Sequence, residues 1–472
     1  MSSSQHFLHS FFYPKSVAIV GASRNPGSVN FDLVANLVEL KFNGKIYPVN
    51  PNTEEILGLK TYPDLKSIEG EVDLVVVAVP AAAAPAIVRD CVNKKVKMVA
   101  LIPGGFSETG AAGTRVQDEM RQVLKGTGIR ATGPNALSPI NTANNLIISF
   151  ARRQKLQRGK LSFIFQSGLY EPRFDWLFSS FHLRLSKLID LGNKMDVTEV
   201  DALEYLAQDP ETEVIALHLE SIAGETRKFM QVLRDVTPKK PVIVLKTGRT
   251  DAGRKMAASH TGAIIKSSDI VVDAALKQSG AIRAQGLDEF FDLAKIFEYL
   301  SPLKTVPGNR IAVATFPGGE AVITVDFCQL YGFNLAELSP PTYDRLRAVF
   351  PAWEITVNPF DMGICNQIYG PDRVYEVLLP ALAEEPDVDC LAIQVGSIGG
   401  NRQADPERLP RLFDGMISRG KPVVTWDGDP VGGREEIECL EANRIPVYPS
   451  AERAIRALAL FYQYHRRKAA RV

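Results

Sequence analysis

One pattern, repeated along most of the chain, restricts the fold more than any other. A short apolar run leads into a turn of glycine, proline or small residues, and a helical repeat follows. It first appears at Ser16–Val20, which runs into Gly21-Ala22-Ser23-Arg24-Asn25-Pro26-Gly27-Ser28. Residues 31–40 then place Phe31, Val34, Leu37 and Val38 on one helical face. Further apolar strands are predicted at 45–50, 73–80, 96–103 and 129–134, with helical segments such as 84–93 and 114–125 between them. Strands that alternate with helices predict a parallel sheet covered on both faces.

In such sheets a ligand sits beyond the carboxyl ends of the strands. Those ends carry Gly21-Ala22-Ser23, Pro48-Val49-Asn50-Pro51, Val79-Pro80-Ala81, Gly104-Gly105-Phe106 and Gly133-Pro134-Asn135. Each alone reads as an ordinary turn; together they favour a nucleotide-like site. Backbone N–H groups at the first helix start suit a phosphate, with Arg24 and Ser28 placed to add to it. The second strand ends in Asn50-Pro51-Asn52, not in an acid. That argues against a NAD ribose contact and leaves other adenosine-bearing ligands open.

The pattern recurs at residues 161–165, which run into Gln166-Ser167-Gly168, with a helix expected from about Leu169 and Pro172 in its first turn. Ser167 and Gly168 thus read as a second anion cradle. A strand is predicted at 185–190, followed by Leu191-Gly192-Asn193-Lys194-Met195-Asp196. Thr198 is expected to cap a helix, with Asp201 three residues on. The strand at 214–219 ends at Glu220, a carboxylate expected to face the site and able to fix the tautomer of an imidazole. After the strand at 241–245 comes Lys246 to Asp269, where His260 stands among Ala257, Ala258, Ser259, Thr261, Gly262 and Ala263. Arg249, Arg254 and Lys255 supply positive charge before it. A nucleophilic histidine and a plain loop histidine both fit these residues.

A proline-bounded linker is expected at 302–307. Beyond it, strands at 310–315, 335–338, 390–395, 422–426 and 445–448 repeat the layout, with helices at 321–331 and 451–464. Gly318-Gly319 reads as a tight turn or another helix-start anion site.

The 472 residues predict roughly three domains at about 150 residues each. Lys+Arg and Asp+Glu are both 54, a balance that argues against nucleic-acid binding. Cys91, Cys328, Cys365, Cys390 and Cys439 form no CxxC pair, so neither a disulfide frame nor a metal site is expected. No apolar run approaches the roughly 20 residues that span a membrane, and the first residues lack a secretory pattern. The expected location is the cytoplasm.

These motifs, in this order, resemble the α subunit, or α half, of the NDP-forming acyl-CoA synthetases, relatives of succinyl-CoA synthetase. The resemblance rests on GASRNPGS at 21–28, VNP at 49–51, AVP at 78–80, GGF at 104–106, GPN at 133–135 and QSG at 166–168. It continues through LGNKMDV at 191–197, LHLESI at 217–222, KTGRTDAG at 246–253, SHTGA at 259–263, PGG at 317–319 and NPFD at 358–361. The implied fold is α/β: a Rossmann-like CoA-binding domain over 1–145, a flavodoxin-like domain with a phosphohistidine loop over 146–303, and a second flavodoxin-like domain over 304–472. The resemblance implies that coenzyme A lies against Gly21, Ser23, Arg24, Ser28, Val49, Asn50, Pro51, Val79, Pro80, Gly105 and Asn135. It implies that His260 carries phosphate, that Glu220 steadies it, and that Ser167 and Gly168 cradle phosphate. ATP or ADP and Mg²⁺ would then come through a separate ATP-grasp β subunit, because about 200 further residues would be needed for that domain. A hetero-oligomer or homodimer acting on a carboxylic acid or acyl-CoA follows. The other readings are a non-catalytic CoA-binding protein, or an acyl or carbamoyl transferase that works without ATP.

Two departures from the family pattern stand out. QSGALG is usual in the family, but here Leu169-Tyr170-Glu171-Pro172-Arg173 follows Gly168, and Ala136 follows GPN where a cysteine is common. Bulky and charged side chains are therefore expected beside the cradle. Tyr170, Phe174 and Trp176 suggest a larger or aromatic acid, or core packing.

Overall fold

The computed structural model describes residues 5–261, 268–316, 318–396, 404–405, 407–429 and 433–470, with backbone only at 258–261. The chain forms two compact units, Met1–Gln285 and Gly286–Val472.

In the first unit, β1 (Ser16–Val20), β2 (Lys45–Val49), β3 (Leu74–Val77), β4 (Met98–Leu101) and β5 (Arg130–Thr132) form a parallel sheet in the order β2-β1-β3-β4-β5. All five residues of β1 are buried, because both faces are covered. The period of two sends Val17 and Ile19 into one core and Ala18 and Val20 into another. The helices are α1 (Val29–Glu39), α2 (Ala84–Lys94) and α3 (Ala111–Leu124). Ser28 starts α1, its hydroxyl accepting the N–H of Phe31 at 3.2 Å.

A second sheet in the same unit uses β6 (Ile140–Asn141), β7 (Leu146–Ile147), β8 (Arg158–Phe165), β9 (Leu185–Asp190), β10 (Val214–Leu219), β11 (Val242–Lys246) and β12 (Ile282–Ala284). Its order is β12-β11-β10-β8-β9-β6-β7; β6 joins β9, and β7 joins β6, antiparallel. Between strands lie α4 (Glu199–Gln208), α5 (Thr226–Val236), α6 (Asp251–Thr261) and α7 (Asp269–Ser279). The expected cap at Thr198 is present as a reciprocal pair with Asp201. One core joins the two sheets, with Val17, Ile19, Leu74 and Val76 packed in the same cluster as Ile164, Ile189, Ile215 and Leu217.

The second unit opens with α8 (Leu287–Tyr299), a helix that precedes the 302–307 linker and packs against the last helix of the chain, Ala451–Ala469. Its parallel sheet has β13 (Arg310–Thr315), β14 (Asn334–Leu335), β15 (Phe360–Asp361), β16 (Cys390–Gln394), β17 (Val423–Trp426) and β18 (Val447–Tyr448). The order is β14-β13-β16-β17-β18, with β15 on β13. Helix α9 (Gly318–Leu330) begins at Gly318, so the paired glycines form its first turn and not a separate one.

All three sheets share one winding. In each, one strand (β1, β8 and β13) is flanked by the next strand in sequence on one side and by a later strand on the other. The order in which strands are added to the sheet reverses there, and in open α/β sheets the crevice at that reversal is where ligands bind.

Four of the five cysteines are buried, and none forms a disulfide. No described helix is long and apolar enough to cross a membrane.

Candidate active site

At the reversal of the first sheet, the ends of β1 and β3 almost touch. A Cβ on Gly21 would lie 2.7 Å from the Ala78 carbonyl oxygen, and the residue has φ +92°, so only glycine fits without strain. Asn30, on the first turn of α1, donates from Nδ2 to the carbonyls of Gly21 at 2.7 Å and Ala78 at 2.9 Å. Asn50 donates to the Ala22 carbonyl at 2.7 Å and accepts the N–H of Asn52 at 2.8 Å. Val49 is buried at the end of β2, paired with Val20. Ser23 Oγ accepts the N–H of Asn25 at 3.1 Å. Arg24, Pro51 and Pro80 are exposed, and Val79 is half-buried beside Gly21. The structure thus assembles Gly21, Ser23, Arg24, Ser28, Val49, Asn50, Pro51, Val79 and Pro80 at one end of the sheet. Ser23, Ser28 and Asn50 spend hydroxyl or amide groups on shaping the loops.

Gly105 and Asn135 lie further along the same edge. Gly105 has φ +105° and gives its N–H to Glu108 Oε1 at 2.6 Å. Burial would raise Glu108, but donors from Asn193, Gly105 and Phe106 outweigh it and hold the carboxyl below its usual range. Asn135 is exposed, with φ +58°, and donates its N–H to Pro103 O at 2.9 Å. Its turn is joined to the second sheet's loop: Asn193 N–H reaches Pro134 O, and Met195 N–H reaches Gly133 O, each at 2.9 Å. Ala136, in place of cysteine, is buried.

At the reversal of the second sheet, Gln166 follows the end of β8 and Glu220 follows the end of β10. Gln166 Oε1 accepts the backbone N–H groups of Glu220 and Ser221, each at 3.0 Å, and Lys194 Nζ at 3.0 Å. Its Nε2 donates to Ser221 Oγ at 2.9 Å. Lys194 also meets Ser221 O at 2.7 Å and Glu199 Oε2 at 3.1 Å. Lys246, at the end of β11, donates to Glu220 O at 2.8 Å. Burial lowers Lys246 to about 8, Asp269 and Glu220 opposing the fall and Lys194 adding to it. Asp190, ending β9, is pushed up to about 6 by burial, against the N–H groups of Leu137 and Gly192; Glu220 and Glu171 add to the rise. Glu220 itself is only 8 % exposed, so its carboxylate lies buried in this cluster of charges.

Ser167 caps the next turn, accepting the N–H of Leu169 at 3.4 Å. Gly168 is exposed, with open space where a Cβ would stand. The expected helix from Leu169 is replaced by a 3₁₀ turn, Gly168–Arg173, and a π turn, Trp176–Ser180. Tyr170 turns inward and stacks on Phe165, ring centroids 3.5 Å apart. Glu171 turns to the linker that joins β7 to β8 within the second sheet, accepting Ser149 Oγ at 2.5 Å and Arg153 Nη2 at 2.8 Å. The carboxylate expected beside the cradle is therefore paired and faces the linker.

His260 falls in the last turn of α6, not in a loop. Its side chain, and residues 262–267, lie outside the described residues. Of the basic residues before it, Arg249 meets Asp269 at 3.3 Å, and Arg254 pairs with Asp251.

His218 was not singled out in the sequence. It lies two residues before Glu220, which on a strand means the same face. That period was the available signal. Its ring is 1 % exposed, with Nε2 3.2 Å from Thr247 Oγ1 and the ring edge-on to Tyr170. Burial, with Lys246 and Lys194 nearby, drives it down to about 3, so it is neutral.

The third sheet's reversal differs. Gln394 Oε1 accepts the Phe316 N–H at 3.0 Å. Trp426 Nε1 donates to Glu320 Oε1 at 3.0 Å, and Asp361 Oδ2 lies 3.8 Å from where a Gly318 Cβ would stand. These carboxylates at the start of α9 disfavour an anion at Gly318-Gly319. Among the described residues, no group of three or more His, Cys, Asp or Glu side chains is arranged to hold a metal ion.

Known proteins match this arrangement. The family described as CoA binding domain covers residues 15–140, and the succinyl-CoA ligase like flavodoxin domain covers 158–297. The chain is 36 % identical over 448 residues to the acetate–CoA ligase [ADP-forming] II subunit alpha of Pyrococcus furiosus, covering 94 % of this chain and 95 % of that one. The chain belongs to the ADP-forming acetate–CoA ligase family. The corresponding ligase II of Archaeoglobus fulgidus is 35 % identical over 98 % of this chain, which spans 67 % of that longer protein. Among solved structures, the dinucleotide forming acetyl-coenzyme A synthetase 1 of Ca. Korarchaeum cryptofilum, in complex with phosphate and ADP, superposes with a TM-score of 0.85. That match has 31 % identity and covers 98 % of this chain and 97 % of that one. The ADP-forming ligase family thus includes both α-type chains of this length and longer single chains.

Proposed function

We propose that this chain is the CoA-binding α subunit of an ADP-forming acyl-CoA synthetase, converting a carboxylic acid, ATP and CoA to acyl-CoA, ADP and phosphate, or running in reverse. CoA lies along the first sheet's reversal, its phosphates toward the start of α1 near Arg24 and Ser28. The turns at 49–51, 79–80, 105 and 135 complete the groove.

In the acyl-CoA-consuming direction, a phosphate oxygen held at Ser167 and Gly168 attacks the thioester carbonyl. The C–S bond breaks, and CoA leaves as the thiol with a proton. The acyl phosphate then gives its phosphoryl group to a nitrogen of His260, releasing the carboxylate. Glu220 holds the proton on the other ring nitrogen, so the attacking nitrogen keeps its lone pair. Lys194 and Lys246 balance the charge of the buried cluster. ADP and Mg²⁺ are held by an ATP-grasp partner, which receives the phosphoryl group.

One observation carries this reading. The Gly133–Asn135 turn is bonded to the Leu191–Asp196 loop, so the strand ends of both sheets belong to one block. A thioester at the first crevice and a phosphate at the second can then meet.

The test is a thiol burst. The full chain, without a partner or ADP, is mixed with phosphate and, in turn, acetyl-, 4-hydroxybutyryl- and feruloyl-CoA, the acyl groups in the names of relatives. Release of at most one CoA thiol per chain, absent without phosphate, is expected with one of these. No release with any supports the non-catalytic reading; continuous release supports a transferase or hydrolase.

A further inference from the structure

The segment after Gly168 that departs from the family pattern is held by many side-chain bonds. Glu171 Oε1 accepts three donors: Ser149 Oγ at 2.5 Å, the Phe150 N–H at 3.0 Å and Arg153 Nη2 at 2.8 Å. Arg153 has a side chain only 4 % exposed. It also donates to Ser149 Oγ at 2.8 Å, the Glu171 carbonyl at 3.1 Å and Asp175 Oδ1 at 2.9 Å, and lies over the Phe174 ring at 5.0 Å. The same linker is gripped from the other side by Asn36 on α1, itself 1 % exposed. Asn36 Nδ2 donates to the carbonyls of Ser149 at 3.2 Å and Ala151 at 2.9 Å, and its Oδ1 accepts the Arg153 N–H at 2.9 Å. Helix α1 starts at the Gly21–Ser28 loop, and the turn Gly168–Arg173, which contains Glu171, is capped by Ser167.

We propose that Glu171 is a positioning residue that fixes the Ser167–Gly168 turn, through Arg153 and Asn36, at a set distance from the helix that borders the CoA groove. The proposal rests on Ser167 and Gly168 being the phosphate cradle of the function proposed above. Pro172 removes one backbone donor from this turn, and the bonds to Glu171 add the rigidity that phosphate placement needs. The latch takes the place of the regular helix that the sequence predicts from Leu169. It acts on where the phosphate sits, and not on how tightly CoA binds.

Full-length wild type, Glu171→Ala and Glu171→Gln are compared in three measurements: CoA affinity, the rate of the thiol burst at saturating acyl-CoA, and amide hydrogen exchange at residues 149–153 and 168–173. Glu171→Ala is expected to slow the burst about tenfold, leave CoA affinity within about twofold, and speed exchange in both segments. Glu171→Gln keeps an oxygen for the same donors and is expected to restore both burst and exchange. Unchanged exchange in Glu171→Ala overturns the latch. A Gln variant as slow as Ala in the burst, with normal exchange, also overturns it, because the charge would then act chemically. If wild type gives no burst, the proposed function falls by itself, and exchange alone decides whether Glu171 fixes the turn.

Discussion

The side-chain oxygen of Gln166 receives the backbone N–H of Glu220 at 3.0 Å, tying the ends of β8 and β10 together at the reversal of the second sheet. The same oxygen takes the N–H of Ser221 and the ammonium of Lys194. Removing it leaves the Glu220 and Ser221 N–H groups without their acceptor, while Lys194 keeps Ser221 O and Glu199. Gln166→Ala is expected to cost about 3 kcal/mol, since each unsatisfied buried donor costs about 1–3 kcal/mol and the loop relaxes in part. Gln166→Glu, which keeps an acceptor beside Lys194, is expected to cost less. Thermal unfolding of the first unit, followed by hydrogen exchange in β8 and β10, reads the difference.

Lys194 and Glu199 are both buried, with side chains 3 % and 0 % exposed. Lys194→Met leaves the Glu199 carboxylate without its cation and is expected to destabilise the first unit by about 3–5 kcal/mol. Adding Glu199→Leu is expected to recover most of that loss, since an apolar pair avoids the desolvation of both charges. A double-mutant cycle on the melting temperature checks the sign of the coupling.

Gly21→Ala places a methyl group 2.7 Å from the Ala78 carbonyl at a φ of +92°. Strain of about 1–3 kcal/mol is expected to displace the loop and to weaken CoA binding about tenfold or more. Gly27 also has a positive φ, +85°, but open space around it, so Gly27→Ala carries backbone strain without the clash and is expected to weaken binding less. Calorimetric titration with CoA separates the two.

In the second unit, burial pushes Glu436 up to about 7, against the Gly396 N–H, with Asp427 adding to the rise. Its Oε2 and the neighbouring Asp427 Oδ2 have no hydrogen-bond partner among the described residues. Folded protein therefore binds more protons than unfolded protein between the ordinary glutamate range and about 7. The contribution of Glu436 is fully present below that window and is lost as pH rises through it, by about 3 kcal/mol in all. Glu436→Gln is expected to flatten this slope and to be more stable than wild type at pH 8. Melting temperatures of both proteins from about pH 4 to 8 test it.

The main parallel strands were legible because a buried parallel strand must be apolar on both faces and must end in a turn that small residues form. The Thr198–Asp201 cap was legible because both partners lie within one helical turn. What escaped the sequence depends on distant partners. Asn30 acts on Ala78 across two strand ends, and nothing local marks it. The turn at 168–173 reads as helix until Phe165 and Ser149 arrive to hold Tyr170 and Glu171. Glu220 was placed at a strand end correctly, but its burial beside Lys194 and Lys246 was not legible, because the motifs containing those two residues did not reveal their roles.

The central claim is that phosphate passes through one imidazole. The direct measurement supplies the full chain with labelled phosphate and the acyl-CoA that gives a thiol burst, then digests it and maps the label. The account predicts an acid-labile, base-stable phosphate on the peptide containing His260, lost in His260→Ala and strongly reduced in Glu220→Gln. Label on any other residue, or undiminished labelling of His260→Ala, would contradict it.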